Sequence, residues 1–240
     1  MSLTRLSPNF GDRRGRRVEL VVLHYTAMAS CAEALERLCD PAAEVSAHYL
    51  IDEDGTLHAL VDEALRAWHA GAGAWAGEGD VNSRSIGIEL ANPGNRPFAE
   101  PQMRALEGLL AAVLKRHGLP PQAVIGHSDM APERKGDPGP RFDWRRLALQ
   151  GLAVWPESPA SEAPPPHPPP TGGEGGSAPD MAGFLADLRA FGYPEAAPDV
   201  LLAAFRLRFR PWATGPLDAK DRALAAGLRR IAVDGAAVSA

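Results

Sequence analysis

The chain is poor in the residues that commit a sequence to an unusual class. It has two cysteines in 240 residues, Cys31 and Cys39. Both lie in one stretch that reads as helix, and eight residues of helix separate them by roughly 12 Å at about 1.5 Å per residue. A disulfide needs Cα atoms within about 7 Å, so both are read as free thiols, which suits a reducing compartment. Neither belongs to a Cys-x-x-Cys pair, which excludes a zinc knuckle. No apolar run approaches the ~20 residues of a membrane span. Met1 to Arg17 lacks the apolar core, about 7–15 residues long, of a secretory leader. The expected location is therefore cytoplasmic, or periplasmic or extracellular if a leader has been removed. Basic stretches are few and the net charge is −5, so nucleic acid is excluded as a main partner. The short run Arg13 to Arg17 reads as a solvated lead-in to a strand. There is no His-Glu-x-x-His and no Gly-rich phosphate loop after a strand. Gly126-His127-Ser128-Asp129-Met130 lacks the closing glycine of a nucleophile elbow.

What is present is ordinary for a folded protein: 45% hydrophobic and 23% charged residues. Leu20 to His24, Ala47 to Ile51, Thr56 to Val61, Ser85 to Leu90 and Ala123 to Gly126 read as strands. The second and third are joined through Asp54-Gly55 as a hairpin. Cys31 to Cys39 reads as a helix stopped by Asp40-Pro41. Pro101 to His117 reads as the strongest helix, with Met103, Leu106, Leu109, Leu110, Val113 and Leu114 on one stripe and Gly118 as its stop. A further helix starts near Arg141 to Trp144. Strands alternating with helices predict an α/β domain over residues 1–155, a mixed central sheet flanked by helices. Pro156 to Pro179 holds nine prolines and four glycines and reads as a semi-rigid linker over 156–180. Residues 181–240 read as a small three-helix domain, Met181 to Ala190, Pro198 to Arg210 and Pro216 to Arg230. Arg206, Arg208 and Arg210 there read as a solvated face rather than a binding stripe.

Two apolar strands end in histidine. Val21-Val22-Leu23 runs into His24, and Val124-Ile125-Gly126 into His127. A strand-end histidine alone is most often a hydrogen-bonded core residue. Asp137, ten residues after His127, adds a carboxylate, and two imidazoles with one carboxylate leave a fourth position open, the donor set of a catalytic zinc. Glu89 lies on a strand face with only Ser85 and Gly87, small residues that leave room above a general base. Lys135, two residues before Asp137, is placed to stabilise an oxyanion. His69, in Trp68-His69-Ala70-Gly71, is the rival ligand and is expected to line the cleft. His48 reads as satisfied by backbone, His58 as exposed, and His117 as a favourable charge at a helix C-terminus. Asp129 could replace Asp137 as ligand but more simply caps the turn Ser128 to Arg134.

Five blocks in order carry a family resemblance: Leu23-His24-Tyr25-Thr26-Ala27, Val45 to Ile51, Ala67 to Gly71, Asn82 with Ser85 to Glu89, and Gly126 to Asp129 continuing through Lys135 to Pro140. Together they resemble the zinc-dependent type 2 N-acetylmuramoyl-L-alanine amidases, relatives of the peptidoglycan recognition proteins. The C-terminal helices resemble, by pattern, a peptidoglycan-binding domain. The resemblance implies one Zn2+ held by His24, His127 and Asp137, with Glu89 as acid/base and Lys135 at the oxyanion. Tyr25, Trp68, His69 and Trp75 fall on the substrate groove. Phage-type relatives use a Tyr where this chain has Ala47, which favours the Glu-using branch. The implied reaction is hydrolysis of the amide between muramic acid, including its 1,6-anhydro form, and L-alanine. The implied partners are peptidoglycan fragments. A recognition module that binds without cutting and a phage-type lysin are the alternative readings.

Overall fold

The computed structural model describes residues 2–156 and 180–238. Eight strands appear in chain order: β1 Ser2–Thr4, β2 Phe10–Gly11, β3 Leu20–Tyr25, β4 Tyr49–Ile51, β5 Leu57–Ala59, β6 Arg66–Ala67, β7 Ser85–Leu90 and β8 Val124–Gly126. The helices are α1 Cys31–Cys39, α2 Glu100–His117, the single turn α3 His127–Met130, α4 Trp144–Leu149, α5 Met181–Phe191, α6 Pro198–Phe209 and α7 Ala219–Val238. Six strands form one sheet in the order β1-β5-β4-β7-β3-β8, and β2 pairs with β6 in a separate ribbon. All pairings of the main sheet are parallel except the hairpin β4–β5. The mixed sheet flanked by helices is the architecture expected. The linker expected over 156–180 lies, apart from its two ends, outside the described residues. No described helix is long and apolar enough to cross a membrane.

Strand alternation sorts the sheet into two faces. Val21 and Leu23 of β3, Ile86, Ile88 and Leu90 of β7 and Val124 of β8 pack against α2 and against Trp144 and Leu147 of α4. The six stripe residues of α2 are all buried. That helix ends on Gly118 at φ 63°, whose N–H reaches Leu114 O and Lys115 O, a left-handed cap that glycine adopts without a Cβ penalty. On the opposite face, α1 buries Cys31, Ala34 and Leu38 beside Leu50 of β4. Its N-terminus is capped by Ser30 Oγ, which accepts from Glu33 N–H at 3.2 Å.

The rest of that face is covered by the C-terminal helices. Leu20, Val22 and Ile125 share one core with Phe184, Leu188, Leu202, Phe205 and Leu224. The arginines of α6 and of its C-terminal cap depart from expectation. Arg206, Arg208 and Arg210 are buried, paired with Asp221, Asp129, and Asp218 together with Asp221. Spacing of i, i+2 and i+4 turns side chains by about 200° per step on a helix, so the three never formed one solvated stripe. Helix α7 starts later than expected because Asp218 caps it, accepting from Lys220 N–H and Asp221 N–H at 2.9 Å.

Candidate metal centre and cleft

The pairing register brings the chemistry together. His24 on β3 lies opposite Glu89 on β7, and His127 begins α3 directly after β8, which flanks β3 on its other side. These are the carboxyl ends of three neighbouring parallel strands, where open α/β sheets present their sites. His24 Nδ1, His127 Nδ1 and Asp137 Oδ2 form a triangle with edges of 2.9, 2.9 and 3.0 Å. All three residues are buried. Edges of this length are spanned by one ion at about 2.0–2.2 Å from each donor.

The outward nitrogens of both imidazoles are committed elsewhere, which fixes their tautomers. His127 Nε2–H donates to Ala70 O at 2.9 Å. His24 Nε2–H donates to His69 Nδ1 at 3.0 Å, His69 Nε2–H to Ser85 Oγ at 3.0 Å, and Ser85 Oγ–H to Val81 O at 2.6 Å. Each Nδ1 is thereby left with its lone pair facing the other two donors. His69 fills the space over Gly87, where an added Cβ would stand 2.3 Å from its ring. The room expected above Ser85 and Gly87 thus belongs to His69 and not to substrate.

Burial, then the neighbouring His127, pushes His24 down to about 4 despite Asp137. Burial also holds His69 well below the ordinary histidine value. Burial drives Asp137 upward, but its closeness to the rings of His127 and His24 outweighs that and holds the carboxyl below the usual range. A neutral His24 imidazole beside an ionised carboxylate belongs to a donor set suited to a dication. Glu89 is pushed the other way, up to about 8, by burial first and the Asp137 charge second, with Lys135 opposing. Its Oε2 is fully buried and has no hydrogen-bond partner among the described residues. An orphaned buried carboxylate oxygen beside the triangle points to a polar guest.

A cleft of about 420 Å³ opens over this centre, lined by His24, Tyr25, Trp68, His69, Glu89, Lys135 and Asp137, with Ala34, Arg37 and Leu38 of α1 as one wall. Residues 14–140 match the family described as N-acetylmuramoyl-L-alanine amidase. The chain belongs to this family. It is 35% identical to the N-acetylmuramoyl-L-alanine amidase AmiD of Escherichia coli (strain K12), over 88% of this chain and 82% of AmiD. The solved structure of E. coli AmiD with the substrate anhydro-N-acetylmuramic acid-L-Ala-D-gamma-Glu-L-Lys matches with a TM-score of 0.76 at 34% identity, over 95% of this chain and 93% of that one. AmpDH3 of Pseudomonas aeruginosa, in complex with anhydromuramic pentapeptide, gives 0.75 at 31% identity over 95% of both chains.

Of the nine site residues read from the sequence, the amidase fold gathers eight around one cleft. Trp75 is the exception. It is 4% exposed and packs against Phe191 and Tyr193 of the C-terminal region, with ring centroids 5.6 and 5.3 Å away. It anchors those helices instead of walling the groove. His48 is satisfied as expected, accepting Gly87 N–H at Nδ1 (2.9 Å) and donating from Nε2 to Leu65 O (3.1 Å). His58, read as exposed, is buried. Sequence reasoning missed Arg134, whose guanidinium donates to Ala70 O and Ala72 O and ties the 70–72 loop to the segment carrying Lys135 and Asp137. Only its place beside Lys135 could have drawn attention to it.

Two of these histidines set an acid limit on the metal-free amidase. The unfolded chain protonates them near pH 6.5, whereas the fold holds His24 to about 4 and His48 to about 3, burial being the main cause for both. Below about pH 6.5 the unfolded state binds the extra protons, so stability falls with pH until those lower values are passed. The loss is on the order of 1.4 kcal/mol per pH unit for each histidine. Thermal melts of metal-free protein between pH 7 and 4.5 check this, and a flat melting temperature over that range contradicts it.

Proposed function

We propose that this amidase hydrolyses the amide between the lactyl group of N-acetylmuramic acid, in its 1,6-anhydro form, and L-alanine in soluble muropeptides, with zinc held by His24, His127 and Asp137. The observation that carries the proposal is the 2.9–3.0 Å triangle of donor atoms with the unpartnered Glu89 carboxylate beside it. The anhydro form is favoured by the ligands bound in the AmiD and AmpDH3 structures. Residues 1–155 carry every reacting group, and we assign 181–240 as the accessory unit.

When bound, zinc supplies Lewis acidity to the scissile carbonyl and to the attacking water, whose pKa it lowers to about 7. Glu89 accepts the proton that water loses on attack and returns it to the departing L-alanine amine, so one carboxylate serves as base and then as acid. Lys135, on the cleft wall, offers its ammonium to the oxyanion that develops on the carbonyl oxygen. Tyr25 and Trp68 flank the same cleft and bound the sugar. His69 holds the ring of His24 in the orientation the donor triangle requires.

The decisive experiment incubates the full chain with anhydro-muropeptide and, in parallel, with intact sacculi, and identifies products by mass spectrometry. Release of the free L-alanyl peptide, abolished by a chelator and restored by zinc, is the expected result. Binding of the fragment without release would establish the recognition-module alternative, and preference for sacculi the lysin alternative. Within the active protein, Lys135→Ala lowers turnover by about 100- to 1,000-fold, the usual cost of one oxyanion donor, with zinc content unchanged. Undiminished turnover removes Lys135 from the mechanism.

A further inference from the structure

We propose that Cys31, Asp52 and His58 form a second divalent-cation site, of zinc-type chemistry, that pins the N-terminus of α1 to the β4–β5 hairpin and so fixes one wall of the cleft. One donor atom from each lies within 4.8 Å of the other two. Cys31 and His58 are 8% and 9% exposed. Three separate segments converge here: the first residue of α1, the residue after β4, and the middle of β5.

The site is distinct from the catalytic centre. His58 pairs with Leu50, Leu50 with Glu89 and Glu89 with His24. These four residues form one row across the sheet and face the same side. Three strand spacings of about 4.8 Å place the two centres roughly 14 Å apart, too far to share an ion. The intervening Leu50 packs with Cys31 and Leu60 in an apolar cluster that screens one site from the other.

The donor chemistry selects the ion. Thiolate, imidazole and carboxylate together suit Zn2+ or Co2+, whereas Mg2+ and Ca2+ prefer oxygen alone. A tetrahedral ion with Zn–S near 2.3 Å and Zn–N or Zn–O near 2.0–2.2 Å spans roughly 3.5 Å between donors, so an ion bound here would draw together donors that now lie within 4.8 Å of one another. Burial first, and then Asp52, Asp54 and Glu53, push the Cys31 thiol up to about 12, so an entering cation must displace its proton, and the same carboxylates favour that cation. Neither ring nitrogen of His58 has a hydrogen-bond partner among the described residues, unlike His48 and His69, whose nitrogens are all used. Cys39 has no part in the site, because eight helical residues carry it about 12 Å away. The consequence for the cleft follows from α1 itself: Ala34 and Leu38, on the same buried stripe as Cys31, line the catalytic cleft.

The test loads the reduced, metal-free full chain with Co2+ and counts ions per chain. The expected result is two ions, with a thiolate-to-cobalt charge-transfer band in the near ultraviolet. The sulfur-free set His24, His127 and Asp137 cannot give that band. It persists in Asp137→Ala and in Cys39→Ser. It disappears in Cys31→Ser, where the count falls to one. His58→Gln, which keeps the thiol, serves if Cys31→Ser does not fold, and it too drops to one ion. A wild-type chain that binds one ion without the band, a band that survives Cys31→Ser, or a band that vanishes with Cys39→Ser overturns the proposal. None of these outcomes depends on which amide the catalytic centre cuts.

Discussion

Glu89→Gln lowers turnover by about 10²- to 10⁴-fold, the range general base catalysis contributes, while the cation stays bound. The substitution keeps volume and one carbonyl-type oxygen but removes the ability to take a proton. Glu89 contributes no atom to the donor triangle, so zinc content is unchanged and the effect appears in kcat more than in KM. Register places the side chain opposite His24, and burial with the Asp137 charge lifts it to about 8. A base near the working pH combines a useful ionised fraction with a strong pull on the proton. A dication held by the neighbouring triangle favours the carboxylate and draws the value down. Glu89 must be ionised to accept the proton, so kcat/KM falls as pH drops through the lowered value. That acid limb disappears in Glu89→Gln. Metal analysis, kcat and a pH profile together check the role; less than a tenfold loss of kcat, or an acid limb that survives, rules it out.

The legible part of this amidase is local. An apolar run ending in histidine states both where the strand stops and where the imidazole goes, which is why His24 and His127 could be read. The stripe of α2 and the Asp-Gly hairpin are equally local patterns. Glu89 could be placed because alternation puts Ser85, Gly87 and Glu89 on one face. The use of that face was misread: Gly87 is small to admit the ring of His69, which arrives from a loop 18 residues earlier and leaves no periodic trace. Strands β1, β2 and β6, of two or three residues, are too short for a period to register. Trp75 shows the limit most plainly. A tryptophan in a Gly/Ala-rich loop looks like a groove residue until Phe191 and Tyr193, more than 100 positions along the chain, close over it. The arginines of α6 read as solvated for the same reason, since their counter-ions lie on other segments and Arg208 finds its partner 79 residues away.

Arg208→Met destabilises the chain by about 3–5 kcal/mol, the cost of leaving a buried charge without its partner. Arg208 and Asp129 have side chains 1% and 0% exposed and meet at 2.7 Å. Asp129 Oδ2 also accepts Gly126 N–H at 2.8 Å, and Oδ1 accepts Tyr193 O–H at 2.6 Å. The guanidinium lies 4.0 Å over the Trp144 ring and donates to Val124 O at 3.3 Å. One carboxylate thus joins β8, the turn that begins at His127, and two segments of the C-terminal region. The pair itself is not a large source of stability, because Arg208 Nε has no partner among the described residues and both charges lost their water. The double variant Arg208→Met/Asp129→Asn therefore recovers most of the loss: it removes both charges, and the Asn oxygen still accepts from Gly126 N–H. Chemical denaturation of Arg208→Met, Asp129→Asn and the double variant gives the cycle. If Arg208→Met costs less than about 1 kcal/mol, or the second substitution restores nothing, the carboxylate is not held as described. The geometric consequence reaches the metal centre. His127 is the first residue of the turn that Asp129 caps, so a slackened Asp129 loosens one of the three proposed zinc ligands, and Arg208→Met is expected to weaken zinc affinity although no atom of Arg208 belongs to that triangle. On this account the C-terminal helices bear on catalysis through one buried carboxylate.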